Sequence, residues 1–296
     1  MKFSFDNFVT SVKSFKKNNK VTHLVMYNNI SPLPGAEIGI PINIFENIFT
    51  QLHYGEQIQL PYFIIISCLI GYVTYGTDRF FDSLEYYNND FTLPISDKKE
   101  KLYKYMYENQ NFIKSSLVLS NIILFYILSN NEETVPFIFI LFISNFYKKI
   151  KKEFGLVKAP FIGIMWMLSS VILPCVLYEH NYNILNDPTS YLPAFFSLFA
   201  ASNTADISDK TEDEINKIET IPVKFGEKKS AYLNIILLLI SSILFGINHN
   251  YQQRPIINTL FELNNLGTSL INLKVLNGTN INVTDVINPG NYTINL

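Results

Sequence analysis

Tyr191-Leu-Pro-Ala-Phe-Phe-Ser-Leu-Phe-Ala-Ala-Ser-Asn-Thr-Ala205 runs without a break into Asp206-Ile-Ser-Asp209-Lys-Thr-Glu-Asp213. A largely apolar run of about 15 residues thus ends in three carboxylates at i, i+3 and i+7. Positions three, four and seven apart share one helix face, so the spacing predicts that these acids converge. Converging anions at the mouth of an apolar helix repel one another unless cations hold them. Mg²⁺ takes oxygen ligands and is commonly shared between a few carboxylates and substrate phosphates. The plainer alternative is a helix that runs into a solvated acidic turn.

The remaining composition carries that stretch into a membrane. Of 296 residues, 48% are hydrophobic and 16% charged, well below the share of charge usual in soluble domains, and mean hydropathy is +0.15. The net charge of −2 gives no reason to expect a nucleic acid partner. Cys68 and Cys175 lie in apolar runs and imply no disulfide framework, and the four histidines are too scattered for a metal site. The Lys-rich start lacks a continuous apolar stretch and does not read as a cleaved signal.

Apolar runs mark about six spans: Leu60–Tyr75, Phe112–Leu128, Val135–Tyr147, Ala159–Tyr178, Tyr191–Ala205 and Ala231–Asn248. Several are short, so their helices are expected to continue into the loops. Pro61, Gly71, Gly163 and Pro174 are tolerable inside spans where neighbouring helices cover the backbone. Gly39–Phe49 is a candidate for a seventh, poor span that periodicity does not decide. The division expected is a basic N-terminal segment over 1–57, a membrane bundle over 58–248 and an Asn-rich polar tail over 249–296. That tail is expected to be loosely packed, poorly helical and non-cytoplasmic, leaving one wall of the bundle open. Three sequons begin there, at Asn277, Asn282 and Asn291.

Loop charge sets the orientation. Segments 78–110, 148–158 and 206–229 hold five Lys/Arg each, while 129–134 and 179–190 hold none. The positive-inside rule places the three basic segments on the cytoplasmic side of a multi-pass membrane protein; which membrane is left open. The same segments carry the chemistry. The first opens Asp78-Arg79-Phe80-Phe81-Asp82, two acids one turn apart, which alone reads equally as an interfacial Asp–Arg pair. The second reads Tyr147-Lys148-Lys149-Ile150-Lys151-Lys152, followed by Lys158. It suits either anionic lipid or a phosphate clamp.

With these residues in place, the chain resembles the UbiA-type membrane prenyltransferases. The Asp-x-x-Asp-x-x-x-Asp motif of that family matches Asp206, Asp209 and Asp213, and the downstream Thr-Leu-Pro-Val and glycine turn resemble Thr220-Ile-Pro-Val223 and Gly226. Its Tyr-x-x-x-Lys motif matches Tyr147 and Lys151, and Lys158, Pro160 and Trp166 are similar to the Lys-x-Pro and Trp that follow. The first acidic motif departs from the pattern: Asp78 and Asp82 remain, but Thr74 and Tyr75 replace its leading Asn and Asp. The resemblance covers roughly residues 58–248 and lacks the family's last spans.

The resemblance implies an all-α, multi-pass transmembrane bundle that transfers a polyprenyl group from an allylic diphosphate to an aromatic or lipophilic acceptor. Mg²⁺ would be held by Asp78 and Asp82 on one side and by Asp206, Asp209 and Asp213 on the other. Tyr147, Lys151, Arg79 and Lys158 would meet the diphosphate. A catalytically decayed, scaffolding member of the family is the alternative. A transporter fits less well, because the acids sit at loop mouths and no internal repeat is visible.

Overall fold

The computed structural model describes residues 33–36, 60–88, 97–130, 132–179, 183–248 and 255–278. All regular structure among these residues is helical. The principal helices are α1 (Leu60–Gly71), α2 (Thr77–Asn88), α3 (Asp97–Glu108), α4 (Gln110–Ser129), α5 (Ile138–Glu153), α6 (Lys158–Met167), α7 (Leu173–Glu179), α8 (Leu192–Ser208), α9 (Lys210–Ile215), α10 (Ile221–Phe225), α11 (Glu227–Asn248) and α12 (Pro255–Leu276). Gly39–Phe49 lies outside the described residues.

Among the described residues, three stretches are long and apolar enough to cross a membrane: Gln110–Ser129, Gly155–Leu177 and Glu227–Ile247. They overlap three of the six expected spans. The other three fall on helices of 12, 16 and 17 residues, α1, α5 and α8, which run on into polar segments. Outward faces are apolar where lipid would touch them. Val118, Leu119, Ile122 and Phe125 on α4 are exposed, as are Ile236, Leu239 and Ile243 on α11. The buried core lies between: Ile66, Ile70, Leu124, Val171, Ala194 and Leu198 form one cluster with Phe245 and Phe261.

Two π-turns interrupt long helices. Tyr72–Gly76 joins α1 to α2, and Leu168–Ile172 joins α6 to α7. The second precedes Pro174, which offers no amide hydrogen to the turn behind it. Ser169 and Ser170 instead bond back to the carbonyls of Met165 and Trp166 at 2.8 and 2.6 Å. In the first, the Thr74 hydroxyl donates to the Ile70 carbonyl at 2.7 Å. Helix α6 crosses α8 closely at Gly163, where a Cβ would stand 3.1 Å from the Phe199 amide nitrogen. Small residues permit such approaches in membrane bundles.

The tail corrects the sequence reading. Residues Pro255–Leu276 form a 22-residue helix, long enough at about 1.5 Å per residue to span a bilayer core. It lies antiparallel to α11. Phe261 stacks on Phe245 near the far end of α11, with centroids 4.1 Å apart. At the other end Ile271 and Val275 pack with Ala231 and Ile207. Apolar run length missed it because asparagines are spread along the helix. Its packing closes the wall expected to be open, and its C-terminus returns to the Asp206 end. Asn277 of the first sequon therefore stands at the acidic end, against the expectation for the tail; Asn282 and Asn291 lie outside the described residues.

Candidate functional site

The acids and lysines singled out in the sequence meet at one end of the bundle. Helix α2 places Asp78 and Asp82 one turn apart, with Arg79 between them, and α5 lays its lysines across that face. Lys151 Nζ is 2.8 Å from Asp78 and 3.4 Å from Asp82. Lys148 reaches Asp82 at 3.1 Å and also pairs with Glu85, which Lys152 meets at 2.9 Å. Only Lys149 turns fully outward, pairing with Glu153 on its own helix. Lys148 and Lys151 therefore turn to the acids of α2 rather than forming a free basic surface.

Lys158 holds the second acidic cluster. At the first turn of α6 it lies 2.7 Å from Asp206 and 3.2 Å from Asp213. The three acids do not share one continuous helix face, because α8 ends at Ser208 and Asp209 (φ −92°, ψ 3°) bends the chain into α9. The bend keeps Asp206 and Asp213 on one lysine. Asp209 pairs directly with no cation within 4 Å among the described residues, yet Lys158, Lys99 and Arg79 all act on it. A tight approach joins the basic and acidic segments: a Cβ on Gly155 would stand 2.7 Å from the Glu219 backbone.

Helix α3 covers the cleft. Lys99 bonds Glu212 of α9 at 2.6 Å, and buried Tyr103 lies close enough to Arg79 for the two to act on each other electrostatically. The Arg79 charge acts on Asp78, Asp82 and Asp209, so it links the two clusters. Burial pushes the carboxyls of Asp206, Asp209 and Asp213 up, Asp213 to about 6, with Lys158 only partly offsetting it. At Asp82 burial also pushes upward, but Lys151, Lys148 and Arg79 outweigh it and hold this carboxyl below its ordinary value.

Beside the clusters lies a mostly apolar cavity. Asp78 and Tyr147 stand at its polar wall, and Ile70, Phe161, Ile162, Met165 and Trp166 form its apolar part. Tyr147 stacks on Phe161 with centroids 5.8 Å apart, and Lys151 Nζ lies 5.7 Å from the Tyr147 ring centre. The Trp166 indole donates to the Tyr75 hydroxyl at 2.6 Å. Tyr75 is itself part of the cavity wall.

Sequence reasoning did not single out Glu85, Lys99, Tyr103 or Glu212. Helical period carried a signal for the first, since Asp78, Asp82 and Glu85 fall at i, i+4 and i+7. The rest depend on how α3 folds over the cleft, for which no spacing rule exists.

Among the described residues, no three acidic, His or Cys groups form a ready-made metal cage. Each acidic cluster closes on a lysine instead. The donor chemistry nonetheless fits a hard cation: every acid offers carboxylate oxygens, and Asp206 Oδ2 is buried without a partner. With Glu85 and Glu212 added to the five aspartates, seven acids face six cations, Arg79, Lys99, Lys148, Lys151, Lys152 and Lys158, so one negative charge of the cleft is left over.

No protein-family model, curated protein or solved structure matches the chain.

Proposed function

We propose that this chain is a Mg²⁺-dependent membrane prenyltransferase of the UbiA type. In this reading it moves a polyprenyl group from an allylic diphosphate to an aromatic or lipophilic acceptor, with the site on the cytoplasmic side. One observation carries the reading. Two acidic clusters on separate helices each close on a lysine of the 147–158 segment, Lys151 and Lys158, beside an apolar cavity that Asp78 borders. A cleft with both charge signs and an apolar chamber suits a substrate with a diphosphate head and a hydrocarbon tail.

Ionisation breaks the C–O bond of the allylic ester, and the electron pair leaves with the diphosphate. An acceptor carbon then bonds to the allylic cation and loses its proton. The protein's task is to hold positive charge where the diphosphate gains negative charge. Lys151 and Lys158 are placed to turn from their aspartates to the phosphate oxygens, freeing carboxylate oxygens as they go. Asp206, Asp209 and Asp213, with Asp78 and Asp82 opposite, would then hold Mg²⁺, which supplies Lewis-acid charge on the same oxygens. The Arg79 charge between the two acidic arms offsets their mutual repulsion. Tyr147 faces the cavity beside Asp78, where the head group would meet the chain.

The second reading, a decayed scaffold, draws on Tyr75. Its hydroxyl accepts from Trp166 and cannot replace the carboxylate of the family's first motif as a strong metal ligand. Prenyl transfer assayed in detergent, with and without Mg²⁺ and across several chain lengths and acceptors, separates the two. Mg²⁺-dependent product formation supports the enzyme. Its absence with every donor and acceptor, from a folded preparation, favours the scaffold.

A further inference from the structure

Helices α8, α11 and α12 are joined by two buried polar layers. In one, Asn203 donates to Asn234 at 2.7 Å, Asn234 donates to Asn272 at 2.9 Å, and Asn272 donates to Thr204 at 2.8 Å. In the other, Ser197 donates to Asn265 at 2.7 Å, and Asn265 reaches Ser241 and Ser242 at 3.2 and 3.1 Å. Asn203, Thr204, Asn234 and Asn272 are fully buried. Ser197 and Thr204, Asn234 and Ser241, and Asn265 and Asn272 are each seven residues apart. A seven-residue step is about two helical turns, so the layers repeat in register on all three helices. Buried polar groups that need one another's hydrogen bonds fix such a register, since any slip leaves them unpaired.

The two layers differ in what lies next to them. The Asn272 layer ends two residues before Asp206, and just beyond it Ile207 packs on Ile271 and Val275 of α12. The end of α8 is therefore clamped between Lys158 on one side and α11 and α12 on the other. We propose that Asn272 is a positioning residue for the acidic arm Asp206–Asp213. Acting through Thr204 and Asn234, it fixes the rotation and height of the α8 end, so that Asp206 and Asp213 meet one lysine. The tail helix, which no acidic or basic motif reaches, thereby becomes part of the site's scaffold. The inference takes the acidic arm to be the site proposed above, but it concerns the geometry of that arm with or without a ligand.

The test compares the two layers by hydrogen–deuterium exchange on the full chain in detergent. Asn272→Leu breaks one layer, Asn265→Leu breaks the other, and Thr204→Val removes the shared hydroxyl with little change of shape. We expect Asn272→Leu and Thr204→Val each to speed exchange across residues 206–218 at least tenfold. Asn265→Leu should leave that segment at the wild-type rate, and the Thr204→Val/Asn272→Leu pair should be no faster than its faster single variant. Equal acceleration by Asn265→Leu would reduce the role to general helix packing and overturn the proposal. So would unchanged exchange in Thr204→Val, the variant that decides the matter if Asn272→Leu does not fold. Mn²⁺ titration of the wild-type chain with inorganic diphosphate runs in parallel. Failure to bind there refutes the metal reading of the site and leaves the exchange comparison to decide the positioning role.

Discussion

Asp206 and Lys158 meet at 2.7 Å in a setting that leaves the second oxygen of the aspartate buried and without a partner. Asp209, three residues on, has no such pair. This contrast separates two acids of one motif by their structural duty. Asp206→Asn removes one of two charges from a buried lysine that Asp213 still holds, so its cost should fall below the roughly 3–5 kcal/mol of breaking a lone buried pair. Asp209→Asn removes a charge that no neighbour depends on directly, and its cost should stay below about 1 kcal/mol. Yet Asp209→Asn should reduce turnover at least about 100-fold if preorganised charge carries the reaction. Thermal unfolding beside a prenyl transfer assay checks both halves; a wild-type rate in Asp209→Asn would remove it from the site.

Lys151 bridges Asp78 and Asp82 and is placed to turn to a diphosphate. Lys151→Ala is therefore expected to raise KM for the prenyl diphosphate more than KM for the acceptor. A rise confined to the acceptor would move Lys151 to a different role.

The raised carboxyl of Asp213 makes a pH prediction. Its ordinary value is 3.8 and its folded value about 6, so the folded state holds the proton more tightly than the unfolded chain. Stability from this group is complete below about pH 4 and is lost as pH rises to about 6. The upward shifts of Asp206 and Asp209 act in the same sense, whereas Asp82, shifted downward, opposes them at lower pH. Denaturant unfolding from pH 4 to 7 should show a weaker decline in Asp213→Asn than in wild type. An identical slope would mean that Asp213 is not perturbed.

Trp166 is the only tryptophan in the chain and it lines the cavity. Its emission is a direct report of occupancy. Geranyl diphosphate with Mg²⁺ is expected to shift or quench it, and inorganic diphosphate is expected to do so much less, because only the first fills the apolar chamber. Tyr75→Phe removes the hydrogen bond to the indole and should shift the unliganded spectrum while keeping the response. No response to geranyl diphosphate would place the tail elsewhere.

The sequence made the acidic end legible because its chemistry is local. Asp78 and Asp82 share a helical face by period, and Asp206, Asp209 and Asp213 follow an apolar run. Loop charge brought the three segments to one side without any structure. Long-range consequences were hidden. That Lys151 and Lys158 each hold one acidic cluster depends on how α5 and α6 lie against α2 and α8, which no spacing encodes. Helix α12 was misread for a physical reason: its asparagines lower the apolar run length, yet two of them, Asn265 and Asn272, are buried against α8 and α11 and satisfied there. Hydropathy scores a side chain as though it faced lipid alone, and so undercounts helices whose polar groups face each other.

The π-turn at Tyr72–Gly76 has a consequence for the whole acidic face of α2. A wide turn accommodates one more residue than an α-helix would over the same rise, and each residue of an α-helix advances the side-chain direction by about 100°. Tightening residues 72–76 into an α-helix with none removed would swing Asp78, Asp82 and Glu85 together through about that angle, away from Lys148 and Lys151, with no acid or lysine altered. Deleting one residue within 72–76 removes the surplus unit instead, and an uninterrupted α-helix would then run from α1 into α2 with the three acids still turned to the lysines. The heading of three charged side chains thus hangs on where the chain takes up a single supernumerary backbone unit.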